Sequence, residues 1–255
     1  MTDTVIPEES RALLIRYAAE YETAEFLEGD PSWFMHQVNG ARNREVTAFV
    51  ASCLSYGSRK QFMPKIAWLV DRACGDLYEW ILSGKFAEDV PACGKCFYRL
   101  YDFRQMNLFL GRLQQMLQQY GTMGCYVGSA SQGNALQTVE NICRWFAEGG
   151  DCIVVPKNAV SSCKRICMFL RWMVRSNSPV DLGLWADAID RRTLIMPLDT
   201  HVLQQSVRLG LLKSKTATMS TALRLTGKLA EIFPDDPLKG DFALFGYGVN
   251  KGESL

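Results

Sequence analysis

The chain offers two features that could do chemistry: a single aspartate at the mouth of a helix and a run of cations upstream of it. In Ile195-Met196-Pro197-Leu198-Asp199-Thr200-His201-Val202 an apolar approach ends in a carboxylate. Asp199 and Thr200 are both good N-cap types, and Val202, Leu203 and Val207 follow at helical spacing. A carboxylate there sits beside the positive end of the helix dipole and stays ionised, a fixed negative charge able to face a developing cation. The same pattern also serves a plain helix cap. Between Cys152 and Val180 stand Lys157, Lys164, Arg165, Arg171 and Arg175 with no acid among them. On a helix beginning near Asn158, Lys164, Arg171 and Arg175 share a face while Ile166, Phe169, Leu170 and Met173 pack inward. Such a face suits a phosphate chain or, equally, plain solvent.

The elements that must hold these residues read as helices. Pro7, followed by Glu8 and Glu9, opens a helix with Leu13, Leu14, Tyr17 and Tyr21 on its apolar side. Asn43 is expected to cap a helix through Leu54, and after Tyr56-Gly57-Ser58 a second carries Phe62, Ile66, Leu69 and Val70. Asp76 caps Leu77 to Leu82, Gly84 to Lys95 reads as loop, and Asp102 heads a long helix ended by Gly121. Further helices fall at about 136–147, 158–175, 182–189, 220–232 and 241–248. No useful strand alternation or internal repeat occurs, so the expected class is all-α with about ten helices. Five of the six tryptophans, Trp68, Trp80, Trp145, Trp172 and Trp185, read as core.

Composition limits the rest. At 255 residues, 48% hydrophobic and net charge +1, the chain has ample core and is no polycation, so nucleic-acid binding must come from a local patch. Eight acids against Arg11 and Arg16 up to Asp30 give that end a net charge of −6, which should turn it away from phosphates. Neither a signal peptide nor a run of 18 apolar residues is present, and the nine cysteines form no regular framework. A cytoplasmic chain with reduced thiols, away from membranes, is expected. Cys93-Gly94-Lys95-Cys96 is a lone CxxC, and His36 and His201 are the only histidines, so neither metal nor other cofactor is expected.

With those residues in view, the sequence resembles the helix-hairpin-helix DNA glycosylases of the endonuclease III type. Val46 to Ser55 is similar to the family's early helix ending in Leu-Ser, and Val160 to Arg171 stands where its hairpin belongs. Leu198-Asp199-Thr200-His201-Val202 resembles the catalytic-aspartate motif, and Asp241 to Gly248 the closing helix. A nearer likeness is to a bacterial branch carrying Asp-Pro, Tyr-Gly, Arg-Trp-Met-Val-Arg and Pro-Leu-Asp-Thr-His, here Asp30-Pro31, Tyr56-Gly57, Arg171 to Arg175 and Pro197 to His201.

The resemblance implies two helical subdomains with a cleft between them: residues 40–175 with the hairpin, and 1–39 together with 176–255 carrying the aspartate. It implies a base-excision enzyme that breaks the N-glycosidic bond of a flipped, damaged base in double-stranded DNA, with Asp199 as electrostatic catalyst. Lys164 falls near the family's lyase lysine and would supply Schiff-base chemistry. Ser161, Ser162, Arg165, Arg171, Arg175 and Tyr56 are the implied DNA contacts. Departures stand beside it. Val160-Ser161-Ser162-Cys163 replaces a glycine-rich turn, so the hairpin is atypical. Tyr56-Gly57 replaces a gap-filling glutamine, and the cluster cysteines of many relatives are missing after Cys167. A non-catalytic DNA-binding relative and a helical interaction scaffold are the alternatives.

Overall fold

A computed structural model of the chain describes residues 5–148, 150–214 and 216–250. Among those residues the regular structure is helical apart from one small hairpin. The first helices are α1 (Glu8–Tyr21), α2 (Trp33–His36), α3 (Ala41–Leu54), α4 (Arg59–Arg72), α5 (Leu77–Leu82) and α6 (Phe86–Asp89). Strands β1 (Cys96–Tyr98) and β2 (Tyr101–Asp102) pair antiparallel. Then come α7 (Phe103–Tyr120), α8 (Met123–Ala130), α9 (Ala135–Ala147), α10 (Lys164–Val174), α11 (Thr200–Arg208), α12 (Met219–Ala230) and α13 (Lys239–Val249). Two short 3₁₀ turns, Ala24–Leu27 and Arg191–Thr193, complete the set.

Side-chain caps set many of the starts. Asp76 accepts from Glu79 N at 3.0 Å, Asp102 from Gln105 N at 2.7 Å and Asp199 from Val202 N at 2.9 Å. Thr122, Asn134 and Thr218 do the same for α8, α9 and α12. Asn43 does not cap. Gly40 occupies the N-cap of α3, while the Asn43 amide donates to Gly75 O at 2.7 Å and its oxygen accepts from Leu77 N at 3.0 Å, tying α3 to α5.

Helix α3 is the hub, buried at every position from Glu45 to Leu54, as a helix apolar nearly all round must be. Its one buried acid, Glu45, accepts from Met123 N (2.8 Å), Gly124 N (2.9 Å) and Trp185 Nε1 (2.8 Å), so it seats the first turn of α8. Burial pushes the Glu45 carboxyl above its usual range in spite of these donors. Helix α10 packs on α3 with Phe169 edge-on to Phe49 at 5.1 Å. At the chain ends α1 packs on α13, and one connected apolar cluster includes residues from Ile6 to Leu244.

Three expected elements differ. The helix expected from Asn158 begins only at Lys164, because residues 156–163 turn irregularly and Ser161 bridges to Thr218. Leu182 to Ile189 is a chain of turns, not a helix. Its amides cover the end of α10, with Leu182 N on Trp172 O and Trp185 N on Met173 O, both 2.7 Å, satisfying carbonyls a helix end leaves open. Within and after the stretch read as loop lie α6 and the β1–β2 hairpin, whose three- and two-residue strands are too short to carry a visible alternation. No helix among the described residues is long and apolar enough to cross a membrane.

Candidate active site

Asp199 is rigidly presented. The approach from Leu194 to Leu198 is buried, and Met196 N donates to Thr226 Oγ1 at 2.9 Å. With Oδ1 occupied by the Val202 amide, Oδ2 turns to the Lys164 ammonium at 2.8 Å. Burial pushes the Asp199 carboxyl up, but the adjacent Lys164 charge and hydrogen bond, the Val202 amide and His201 outweigh it and hold the group below the ordinary 3.8. The carboxylate is therefore ionised at neutral pH.

Lys164 owes its position to the residue before it. Cys163 adopts φ 45°, ψ 37°, the left-handed conformation that costs a residue with a Cβ about 1–2 kcal/mol. Of Val160-Ser161-Ser162-Cys163 it alone has a positive φ, so the conformational demand that a glycine-rich turn would meet falls on one cysteine, not on the serines. The buried Cys163 thiol donates to Asn158 O at 3.4 Å and lies against Cys143 of α9, a contact that lowers its pKa. The turn is further pinned by Met219 N on Val160 O at 3.3 Å.

Lys164 and Asp199 face a cleft of about 710 Å³. Phe26, Phe62, Phe245 and Tyr56 supply apolar wall, Asp30, Asp241, Arg59, Arg165 and Arg171 supply charge, and Ser161, Ser162 and His201 border it. Its size lies within the roughly 300–1,000 Å³ usual for ligand pockets. Three helices, α10, α11 and α13, bring residues of their first turns to it in Lys164, Asp199 at the cap, and Asp241.

The expected phosphate contacts divide. Ser161 is exposed, whereas Ser162 is buried. Half-buried Arg165 donates to Tyr101 Oη at 2.7 Å and to Cys53 O, and its guanidinium lies 5.5 Å from the Tyr56 ring centre. Its charge thus serves the cleft wall from within. Arg171 and Arg175 are not surface cations at all: they are 3% and 2% exposed. Arg171 pairs with Asp181 (3.2 Å) and Asp241, and Arg175 with Asp181, Asp236 (2.8 Å) and Glu22 (2.6 Å). The acid-rich N-terminal stretch is likewise not turned wholly away. Glu22 enters this cage, and Asp30 lines the cleft, accepting from Ser32 N at 3.0 Å and standing 3.6 Å from Arg59. Sequence reasoning passed over Arg59 and the aromatic wall of Phe26, Phe62 and Phe245; Asp30 and Asp241 were noted as motif residues, but nothing in their spacing told of the cleft.

Fold and site together define an all-helical chain with a lysine–aspartate pair open to a charged, aromatic-walled cleft. It belongs to the family described as "Protein of unknown function (DUF2400)", whose match runs over residues 30–250 and so takes in every residue of the cleft except Phe26. No curated protein and no solved structure matches the chain. Among the described residues no three His, Cys, Asp or Glu side chains are grouped to hold a metal.

Proposed function

We propose that this protein is a DNA glycosylase of the helix-hairpin-helix type, releasing a damaged base from duplex DNA, with the cleft between its chain-end helices and α3–α10 receiving the extruded nucleotide. The observation that carries the reading is the Lys164–Asp199 pair at 2.8 Å in an open cleft, on the two motifs that resemble that superfamily. Departure of a base leaves positive charge on the sugar, and an ionised carboxylate held by a helix-start amide opposes that charge without having to reorganise. The aromatic wall offers faces to an unstacked base.

Lys164 decides the outcome of the reaction. As the ammonium paired with Asp199 it leaves water as the nucleophile, and the enzyme is a hydrolase. If it first loses its proton to water, the free amine bonds to C1′ as the C1′–base bond breaks, and the base leaves with the bonding pair and takes up a proton from solvent. Opening of the sugar ring then gives the Schiff base that borohydride reduces to a stable amine.

The test is direct. Wild type and Asp199→Asn are incubated with deaminated, oxidised and alkylated duplexes, and freed bases are identified by mass spectrometry. Release by the wild type, with a loss of at least about 100-fold in the variant, is expected for removal of such a stabilising group. Lys164→Gln should abolish the borohydride-trapped adduct on an abasic duplex. Absence of both release and adduct in the wild type would leave Asp199 as a cap in a binding protein or scaffold.

A further inference from the structure

Among the described residues five that are not glycine have a positive φ: Cys74, Arg99, Gln132, Cys163 and Asn177. Cys163 is the only buried one. Glycine would relieve the conformation at no steric cost, yet the chain keeps a thiol there, immediately before Lys164. Strain held at a turn that aims a site residue calls for a reason in the side chain itself.

The thiol has a partner. Cys143 of α9, fully buried, shares a hydrogen bond with Cys163 Sγ, and Ser161 Oγ lies 3.6 Å from the same sulfur. Cys143, Ser161 and the Arg165 charge together outweigh burial and hold the Cys163 thiol below its ordinary 9.0, while the Cys143 thiol is pushed up by the same contact and by burial. Cys163 is therefore the one that ionises, and Cys143 keeps its proton. Asn158 O accepts from the neutral Cys163 thiol at 3.4 Å, but Asn158 is exposed and water can replace that donor. The next cysteine along is engaged elsewhere: Cys167 donates to Ser162 O at 3.5 Å, and burial raises its pKa.

Access to the pair is narrow. Cys163 borders the cleft but is only 3% exposed, so a small oxidant entering by the cleft can reach it and a bulky disulfide reagent cannot. Thiols that sense oxidants combine a lowered pKa with a second cysteine in contact.

We propose that Cys163 and Cys143 form a peroxide-modification site: hydrogen peroxide oxidises Cys163, Cys143 closes a disulfide with it, and the turn that aims Lys164 is drawn toward α9. The Cys163 thiolate attacks one peroxide oxygen, the O–O bond breaks, and the departing hydroxide takes up the proton that Cys163 had released. Cys143 Sγ then bonds to the sulfenic sulfur, whose hydroxyl leaves as water with the Cys143 proton. Peroxide gains the electron pair that the two thiols lose. Closing the contact to an S–S bond of about 2.0 Å moves Cys163, and with it the start of α10. The modification stands apart from the base-excision reading; only its consequence for the abasic-site adduct rests on that reading.

The test treats the full-length protein with dilute hydrogen peroxide, maps linked peptides by mass spectrometry without reduction, and measures borohydride trapping on an abasic duplex. A Cys143–Cys163 link is expected in the wild type, and a thiol reductant should reverse it. Trapping should fall about tenfold or more when the link forms, since about 1 Å of misplacement in a positioned group can cost about 100-fold, and should return on reduction. Cys143→Ser should form no such link and should take the sulfenic-acid reagent dimedone at Cys163. The site is wrong if peroxide leaves Cys163 untouched in both proteins or links only the exposed pair Cys93 and Cys96. A Cys143–Cys163 link with trapping unchanged overturns the effect on Lys164. If the reduced wild type traps nothing, the base-excision reading falls, and the link alone decides this site.

Discussion

The two ends of α10 carry the same kinds of residue and meet opposite surroundings. At its start Lys164 has one carboxylate partner, Asp199, and both remain about one-third exposed in the cleft. About two and three turns further on, Arg171 and Arg175 are sealed among four carboxylates, Asp181, Asp236, Asp241 and Glu22. Arg171 also lies 4.6 Å from the Phe242 ring centre. The first end is wet, loosely paired and open to an incoming ligand. The second is dry and ties α10 to both chain ends at once. Identical spacing on one helix thus separates a site from a rivet, and the difference is made by partners that the helix's own sequence does not contain.

The largest expected effect tests the rivet. Arg175→Ala leaves Asp181, Asp236 and Glu22 facing one another without their shared cation, and removing one member of a buried ionic group costs about 3–5 kcal/mol. Urea unfolding should show that loss. A drop under 1 kcal/mol would mean that the cage is solvated and that the contrast between the two ends is false.

Next comes Asp199→Ala, which removes a helix cap and should cost about 1–2 kcal/mol, alongside the loss of base release. The pH dependence follows from its direction. The folded carboxyl titrates below its unfolded value of 3.8, so its stabilisation is complete above 3.8 and is lost as pH falls through the lowered folded value. The difference in unfolding free energy between wild type and Asp199→Asn should therefore be flat at neutral pH and shrink below about pH 3.8. A difference that instead grows on acidification contradicts the ionised pair.

Much of this was legible and some of it could not be. Asp76, Asp102 and Asp199 were readable as caps because a cap is a local device, satisfied three residues away. Lys164 and Asp199 could be named from motif resemblance, although their contact spans 35 positions of chain whose turns carry no periodic signal. The cage was illegible. Asp181 stands just past the acid-free run, but the other partners of Arg171 and Arg175 are 61, 70 and 153 residues off, and a basic run looks the same whether acids come from afar or water does. The hairpin escaped for want of length, and Leu182 to Ile189 looked helical because Leu182, Trp185 and Ile189, three and four residues apart, all turn to the core.

At the cleft end the effects on stability should be small. Lys164→Gln should cost less than about 1 kcal/mol, since exposed and half-exposed ion pairs contribute little, while removing the abasic-site adduct entirely. That separation, a large chemical loss with a small energetic one, is the reverse of what Arg175→Ala should give.

The smallest effect concerns Cys163. Glycine accepts φ 45° without the cost of about 1–2 kcal/mol that a Cβ brings, but it loses the buried thiol and gains about 0.5–1 kcal/mol of unfolded-chain entropy. Cys163→Gly should then lie within about 1 kcal/mol of wild type, whereas Cys163→Val, branched at a left-handed position, should lose clearly more. Urea midpoints distinguish the two. If the glycine variant is as stable as the wild type and traps abasic DNA as well, the cysteine acts only as a turn that aims Lys164. If it is as stable and traps less, the thiol itself takes part in holding the amine toward the cleft.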